Sequence, residues 1–392
     1  MKQTLTAKLQ IMPQPSDRQL LLDAMKVYSA ACDYVSDHIH KNHMPLNQFR
    51  VHDAVYRTCR SHYALPSQMA ASVTRTVIAS YKSVRTNQER HPERFKKNKR
   101  NDPIRPSFKA PQLSLVWNRD YSLVWNEGRT ARLFSVNTLQ GRIKCPFRAD
   151  AMDWAFVDGA RFGTAKLVFK HEKFFLHVPV TVDIPGTPDA SSIKKTVGVD
   201  RGIRFLATAY DGRKTSFYSG AKVKQKRAHY KELRRQLQKR QTSSARRRIR
   251  AIGQRENRWM GDVNHCLSKA LVCSNPGGTL FVLEDLTGIR GATERVRVKD
   301  RYTQVSWAYR DLEQKLLYKA AKKGSAVIRV NPAYTSQTCP ICGHIDKKSR
   351  NHETHTFKCT ACGYETNDDR IGSMNLQRMG IEYLLKAQVS DI

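Results

Sequence analysis

The first ninety residues alternate between two periods. Leu5, Ala7 and Leu9 take every second position among polar neighbours, the pattern of a half-buried strand, which ends near Pro13. Ser16-Asp17-Arg18-Gln19 reads as a capping box, with the Ser16 oxygen capping the first helical turn and Gln19 reaching back to it. Leu21, Met25, Tyr28, Cys32, Val35 and Ile39 then recur along one helical face. Two further helices are expected at about 47–60 and 67–84, the second opening on Pro66-Ser67, so this part reads as a small helical bundle. His91 to Arg105 is basic, carries Pro92 and Pro103, and reads as a linker.

From Gln112 to Pro185 the period is two. Leu113–Trp117, Tyr121–Trp125, Arg132–Val136 and Arg142–Cys145 are short strands divided by turn residues, and 165–169 with 174–182 form a hairpin. So many short strands in sequence predict a small β-barrel. A third pattern begins at Thr196. Thr196–Asp200 and Phe205–Tyr210 flank a tight turn, a long polar helical region follows, and Thr279-Leu-Phe-Val-Leu283 is an apolar run ending at Glu284. A helix at about 305–323 and a strand at 327–330 complete a mixed α/β sheet.

Composition narrows the possible partners. Among 392 residues, 69 Lys and Arg face 34 Asp and Glu, a formal charge of +35. Such an excess calls for a polyanion, and nucleic acid fits better than an acidic membrane because no basic amphipathic anchor stands out. No run nears the ~18 apolar residues of a membrane span. The start, Met1-Lys2-Gln3-Thr4-Leu5, lacks the apolar core of a signal peptide, so a cytoplasmic, nucleoid-associated protein is expected. Residues 222–258 concentrate the charge, with 15 Lys and Arg against Glu232 and Glu256. An excess this one-sided points to phosphate contact by Lys222, Lys224, Lys226, Arg227, Arg234, Arg235, Arg246, Arg247 and Arg248. Tyr56, Tyr81, Trp117, Trp125, Phe134 and Tyr218 could stack on bases, but aromatics in such patterns are more often core.

Four of the nine cysteines form two tight pairs. Cys339-Pro-Ile-Cys342 and Cys359-Thr-Ala-Cys362 give C-x2-C-x16-C-x2-C, the spacing of a structural zinc site, in which four sulfurs leave no position open for water. His344, His352 and His355 lie between the pairs and read as loop residues. Cys32, Cys59, Cys145, Cys266 and Cys273 are scattered singly, which suits a reducing compartment.

Asp200 and Glu284 each end an apolar strand, and Asp368-Asp369 follows the cysteine pairs. Each acid alone also reads as an ordinary strand end or turn residue. Together they offer an acidic cluster in a basic protein, which would repel phosphate unless divalent ions sat on it. Two Mg²⁺ ions about 4 Å apart could activate a water and stabilise the leaving oxygen of a phosphodiester.

These residues carry a family resemblance. Val197-Gly-Val-Asp200, Phe281-Val-Leu-Glu284-Asp-Leu286, Asn331-Pro-Ala-Tyr-Thr-Ser336 and Asn367-Asp-Asp-Arg-Ile-Gly-Ser-Met-Asn375 look like the split RuvC nuclease of TnpB. TnpB is the transposon-encoded, RNA-guided endonuclease family related to the compact type V CRISPR effectors. The resemblance implies a multidomain α+β chain. Residues 1–14 would be the first strand of a wedge β-barrel, 15–105 a helical recognition domain and basic linker, and 106–190 the rest of the barrel. An RNase H-like (RuvC) mixed α/β nuclease domain would span 191–332 and 366–392, with a zinc ribbon inserted at 333–365.

It also implies metal carboxylates at Asp200, Glu284 and Asp369, with Asp368 a weaker candidate. Ile371 departs from the pattern, which usually has Asn there, while Gly372, Ser373 and Asn375 keep the register. The implied protein is a monomeric ribonucleoprotein with one zinc and two Mg²⁺. Its guide RNA, from the transposon end, would pair with double-stranded target DNA beside a short adjacent motif, and cutting would leave 5′-phosphate and 3′-hydroxyl ends. A cleavage-inactive guided repressor and a DNA transposase are the other readings. A CRISPR-associated effector would be chemically the same.

Overall fold

Half-buried alternating strands need one covered face, whereas wholly apolar strands need two, and the two halves of the chain accordingly build different sheets. The computed structural model describes residues 1–90, 92, 104–125, 132–148, 159–286, 309–351 and 353–390. Most of the expected linker at 91–105, residues 305–308 of the expected helix, and His352 lie outside the described residues. The chain divides into two units, residues 2–183 and Met1 with 184–392.

In the first unit β1 (Lys2–Ile11) buries Ala7, Leu9 and Ile11. Three helices follow, α1 (Pro15–Lys41), α2 (Gln48–Ser61) and α3 (Ser67–Arg90). The expected stripe from Leu21 to Ile39 is the buried face of α1, and Tyr28 from that stripe bonds Ser72 and Thr76 of α3 at 3.0 and 2.8 Å. The capping box is corrected. Helix α1 begins at Pro15, with Gln14 in the cap position and no side-chain cap. Proline has no amide hydrogen to leave unsatisfied and its φ is already helical, so it takes the first position and draws the helix start ahead of Ser16.

The remaining strands are β2 (Gln112–Leu115), β3 (Tyr121–Trp125), β4 (Arg132–Thr138), β5 (Gly141–Arg148), β6 (Arg161–Phe162), β7 (Ala165–Lys170) and β8 (Lys173–Asp183). With β1 they form an eight-stranded sheet, seven in the order β2-β7-β8-β1-β5-β4-β3 and β6 beside β8. Strand β1 pairs with β8 along its whole length, from Lys2↔Asp183 to Ile11↔Phe174. The β7–β8 hairpin turns on His171 and Glu172, both left-handed at φ 51° and 60°, the turn that matches strand twist. Two residues past β2, Trp117 makes an isolated bridge to Tyr121 at the start of β3. Tyr81 and Phe134, weighed above as stacking candidates, are core residues.

The second unit holds β9 (Lys195–Asp200), β10 (Phe205–Tyr210), β11 (Thr215–Ser219), α4 (Ala221–Arg240), α5 (Ser243–Cys273), β12 (Thr279–Glu284), α6 (Tyr309–Lys322) and β13 (Ala326–Val330). After them come β14 (Arg350–Asn351), β15 (Thr356–Lys358), β16 (Glu365–Asn367) and α7 (Asp368–Ser390). The main sheet runs β11-β10-β9-β12-β13, antiparallel among the first three and parallel among the last three. Strand β11 escaped the sequence reading because it is an edge with no apolar alternation, and its Phe217 is exposed.

Period two assigns the faces of this sheet. Val197, Val199, Phe281 and Leu283 pack with Met260, Leu267, Leu312 and Leu316 of α5 and α6. The intervening Leu280 and Val282 pack with Leu376 of α7 on the other face. Covering both faces explains why Leu280–Leu283 is apolar throughout. Gly198 lies opposite Val282 on the α7 face, and a Cβ there would collide with the Ser373 carbonyl and the Gln377 amide of α7. Gly198→Ala should therefore lower the unfolding free energy by about 1–3 kcal/mol, read as an earlier denaturant midpoint. An unshifted midpoint would show that α7 does not need this close approach.

Candidate metal and nucleic-acid site

Asp200 and Glu284 end up side by side through strand register. Leu283 pairs with Val199 across the parallel β9–β12 ladder, so the next residues on each strand, Glu284 and Asp200, stand at adjacent strand ends. They continue the Gly198 and Val282 positions and so share the face that α7 covers. Gly372 of α7 leaves room for the Asp200 carboxyl, since a Cβ there would lie 3.0 Å from its Cγ and Oδ2. Asp369 is in the first turn of the same helix. All three residues are half-buried, and one Asp369 oxygen is fully enclosed.

The two neighbouring aspartates do different work. Asp368 is buried, and its Oδ2 accepts from Arg350 Nε at 3.1 Å, with His355 Nδ1 at 3.7 Å. Arg350 reaches Asp369 Oδ1 only at 3.9 Å, and Asp369 Oδ2 is buried without a hydrogen-bond partner. Asp368 thus anchors the helix start through Oδ2, each aspartate keeps one buried oxygen without a partner, and it is the Asp369 charge that acts on Asp200. Ligand atoms of His355, Asp368 and Asp369 lie within 4.8 Å of one another.

Burial and mutual repulsion set the electrostatics. Desolvation pushes the Asp200 carboxyl up to about 8, and the charges of Glu284 and Asp369 add to the push, while Arg350 and the Arg201 amide oppose it. Burial also raises Glu284, against the bond from Thr335, and raises Asp369, with Asp368 adding to it. Three carboxyls that resist charge together, one with an orphaned oxygen, fit a hard divalent cation with oxygen ligands.

Residues without a role in the sequence reading complete the surroundings. Thr335 Oγ1 donates to Glu284 Oε1 at 2.6 Å, and the Thr335 carbonyl accepts from Asn375 Nδ2 of α7 at 2.7 Å. Asn375 also holds the Thr338 carbonyl at 2.8 Å. This chain ties β12 to α7. Thr335 and Asn375 lie inside the motifs given above, but a loop hydroxyl and a single helix amide carry no periodic signal.

The four paired cysteines converge. Cys339 and Cys362 sulfurs are 3.6 Å apart, as are Cys342 and Cys359, and all four lie within 4.8 Å. A tetrahedral zinc with Zn–S bonds near 2.3 Å spaces sulfurs about 3.8 Å apart, so the residues fit that ion. The Cys362 amide donates to Cys359 Sγ at 3.4 Å and leads the interactions that draw its thiol down to about 6, favouring the thiolate a metal needs. Gly343 and Gly363, both at φ 73°, turn each knuckle. The knuckles join the β14–β15–β16 sheet, whose last strand leads straight into Asp368. Ile371, the departure from the family pattern, is fully buried against Cys339, Phe357 and Cys359. The other five cysteines are free thiols.

The basic arm is two helices. Left-handed Gln241 ends α4, and Thr242 caps α5 through a 3.1 Å bond from Ala245 N. Tyr230, Leu237, Ala245 and Ile252 form the seam between them. Arg227 and Arg234 fall on the Tyr230–Leu237 stripe, and that corrects their expected role. Arg227 is 4% exposed, and Arg234 is ion-paired with buried Glu256. Arg235 pairs with Glu232 at 2.8 Å, and Lys226 lies 4.5 Å from the Trp259 ring centre. Lys222, Lys224, Arg246, Arg247 and Arg248 are exposed on the first turns of the two helices. Among the described residues no helix is long and apolar enough to cross a membrane.

Comparison with known proteins agrees with this architecture. Residues 309–376 match the family described as Cas12f1-like, TNB domain, and residues 177–287 the family described as Probable transposase. The chain is 28% identical over 241 residues to the CRISPR-associated endodeoxyribonuclease Cas12f1 of Sulfoacidibacillus thermotolerans, covering 56% of this chain and 53% of that protein. It is 33% identical over 124 residues to a TnpB-like protein of Methanocaldococcus jannaschii, covering 31% and 43%. The chain thus spans about half the length of the curated relatives it matches. Cas12f1 in a cryo-EM structure of a Cas12f1–sgRNA–target DNA complex superposes with a TM-score of 0.60 at 14% identity, over 92% of this chain and 82% of that one. The fold is that of a compact Cas12-like effector, and the resemblance read from the motifs is borne out.

Two outcomes are expected. Cys339→Ser should lose zinc, measured as metal per chain by mass spectrometry, and speed amide exchange at 365–376; unchanged zinc would refute the ligand. Without added divalent cation, folded Asp200 keeps its proton up to about 8, whereas an unfolded Asp releases it near 4. The folded state then binds more protons between those values. Its stability from this group is complete below about pH 4 and is lost as pH rises through about 8. Thermal unfolding across that window should show the wild type losing stability relative to Asp200→Asn, and parallel curves would count against the clustered carboxyls.

Proposed function

We propose that this chain is an RNA-guided DNA endonuclease of the TnpB and compact type V kind. The observation that carries the reading is the convergence of Asp200, Glu284 and Asp369 on one face of the β9–β12 sheet, with an orphaned Asp369 oxygen. The strand order, three antiparallel strands followed by two parallel ones, supports an RNase H-like (RuvC) nuclease domain divided by a zinc ribbon. The strands and helices of the first unit are read as wedge and recognition domains. Relatives named as an endodeoxyribonuclease and as TnpB-like support the activity, and the solved complex with sgRNA and target DNA supports the two nucleic-acid partners.

Asp200, Glu284 and Asp369 would hold two Mg²⁺. Bound there, the ions supply an activated water and neutralise the leaving oxygen of a phosphodiester. The rest falls to the protein. Thr335 donates to Glu284 Oε1, so Oε2 is the oxygen that would be left for a cation. Arg350 and Asp368 hold the first turn of α7 so that Asp369 meets the strand ends. Lys222, Lys224, Arg246, Arg247 and Arg248 are exposed cations suited to phosphates, while guide pairing beside a short adjacent motif selects the target.

Sequencing the RNA that co-purifies with the protein supplies the guide for the test. Protein, that RNA, matching DNA and Mg²⁺ should yield cut DNA with 5′-phosphate ends. Asp200→Ala should bind the target in a gel shift and leave it intact. Binding without cutting by the wild type would make the chain a guided DNA-binding protein, and strand-transfer products would make it a transposase.

A further inference from the structure

Arg201 directly follows Asp200, and its side chain is fully enclosed. Its Nη1 donates to Glu313 Oε2 at 3.1 Å and to the Tyr309 carbonyl at 3.4 Å, and its Nη2 donates to the main-chain carbonyl of Glu284. Its own amide bonds the Asp200 carboxylate. One residue therefore grips both strand ends that carry metal-binding carboxylates. Glu313, buried on α6, is the counter-charge, and it also pairs with Arg329 of β13. Arg201 Nε is buried with no partner, so the side chain is not simply saturating its donors.

A buried guanidinium is expensive to keep. This one directs its donors to two main-chain carbonyls and the Glu313 carboxylate, and none to the carboxylates of Asp200, Glu284 or Asp369. It is therefore neither a ligand to the site nor a contact for substrate. What it does is hold the end of β12 against the end of β9. Carboxylates that share cations must keep their separation within about half an ångström.

We infer that Arg201, held by Glu313, is a positioning residue that sets the spacing of the Asp200 and Glu284 carboxylates and so the affinity of the site for divalent metal. The inference rests on the reading that these carboxylates bind cations. Lysine cannot substitute, because an ammonium lacks the planar fork that reaches Glu313 and the Glu284 carbonyl together. Residues that orient metal ligands typically change metal affinity 10- to 100-fold when lost.

The test uses the full chain with its co-purifying RNA and Mn²⁺ as the probe, with free Mn²⁺ measured by electron paramagnetic resonance. Asp200→Asn protein supplies the background from Mn²⁺ on the RNA. Arg201→Lys should bind Mn²⁺ about 10-fold more weakly, Glu313→Gln should shift in the same direction, and Arg329→Met, which spares the Glu284 carbonyl, should match wild type. Should Arg201→Lys fail to fold, Glu313→Gln carries the comparison, with thermal unfolding recorded for each protein. Wild-type Mn²⁺ affinity in folded Glu313→Gln and Arg201→Lys would overturn the inference, as would an equal loss in Arg329→Met. Wild type that binds Mn²⁺ through Asp200 without cutting DNA would overturn the proposed function and leave Arg201 as inferred.

Discussion

Three carboxyls face one another on a half-buried surface, and burial works against charge on each of them. Asp200 takes the largest share, pushed up by desolvation and by Glu284 and Asp369 together. Much of the second unit serves to hold this unfavourable arrangement in place. The parallel ladder sets Asp200 beside Glu284, and the bare backbone at Gly198 lets α7 approach. Thr335 and Asn375 then tie β12 to α7. A divalent cation bound there would relieve the repulsion that the fold imposes, which is the physical argument for the proposed cation site inside a protein of charge +35.

The cysteine knuckles act on the same cluster from a distance. Their sheet ends in β16, and the next residues are Asp368 and Asp369. Arg350 on β14 binds Asp368, and Ile371 packs beneath two of the cysteines, so the direction of the first turn of α7 follows the knuckle. The side chain that departs from the family pattern is therefore a packing residue in this chain. The amide that holds the neighbouring loop comes from Asn375, one helical turn further on.

Charge in the basic helices is sorted by face. A helix with cations on every side has to turn some of them inward when it packs. In α4 those are Arg227 and Arg234, and buried Glu256 sits opposite as the compensating acid. The outward cations at the start of each helix keep their charge available to a polyanion. Membership of a basic run is thus a poor guide to which cations stay exposed, whereas position relative to Tyr230 and Leu237 would have set Arg227 and Arg234 apart.

Local chemistry made much of this protein readable from its residues. The cysteine spacing specified a four-sulfur site because short-range turn geometry brings each pair together, and the apolar run before Glu284 specified a strand covered on both faces. Period and composition likewise placed the helices of the first unit, apart from the start of α1 and the last six residues of α3, which runs on to Arg90. The sequence could not decide which aspartate of the Asp368-Asp369 pair faces the strand ends, because that depends on Arg350 claiming one of them. Nor could it show that Arg201 grips the Glu284 carbonyl, 83 residues away. Those outcomes depend on which backbone groups meet across the sheet, and only the packed tertiary structure brings them within hydrogen-bond reach.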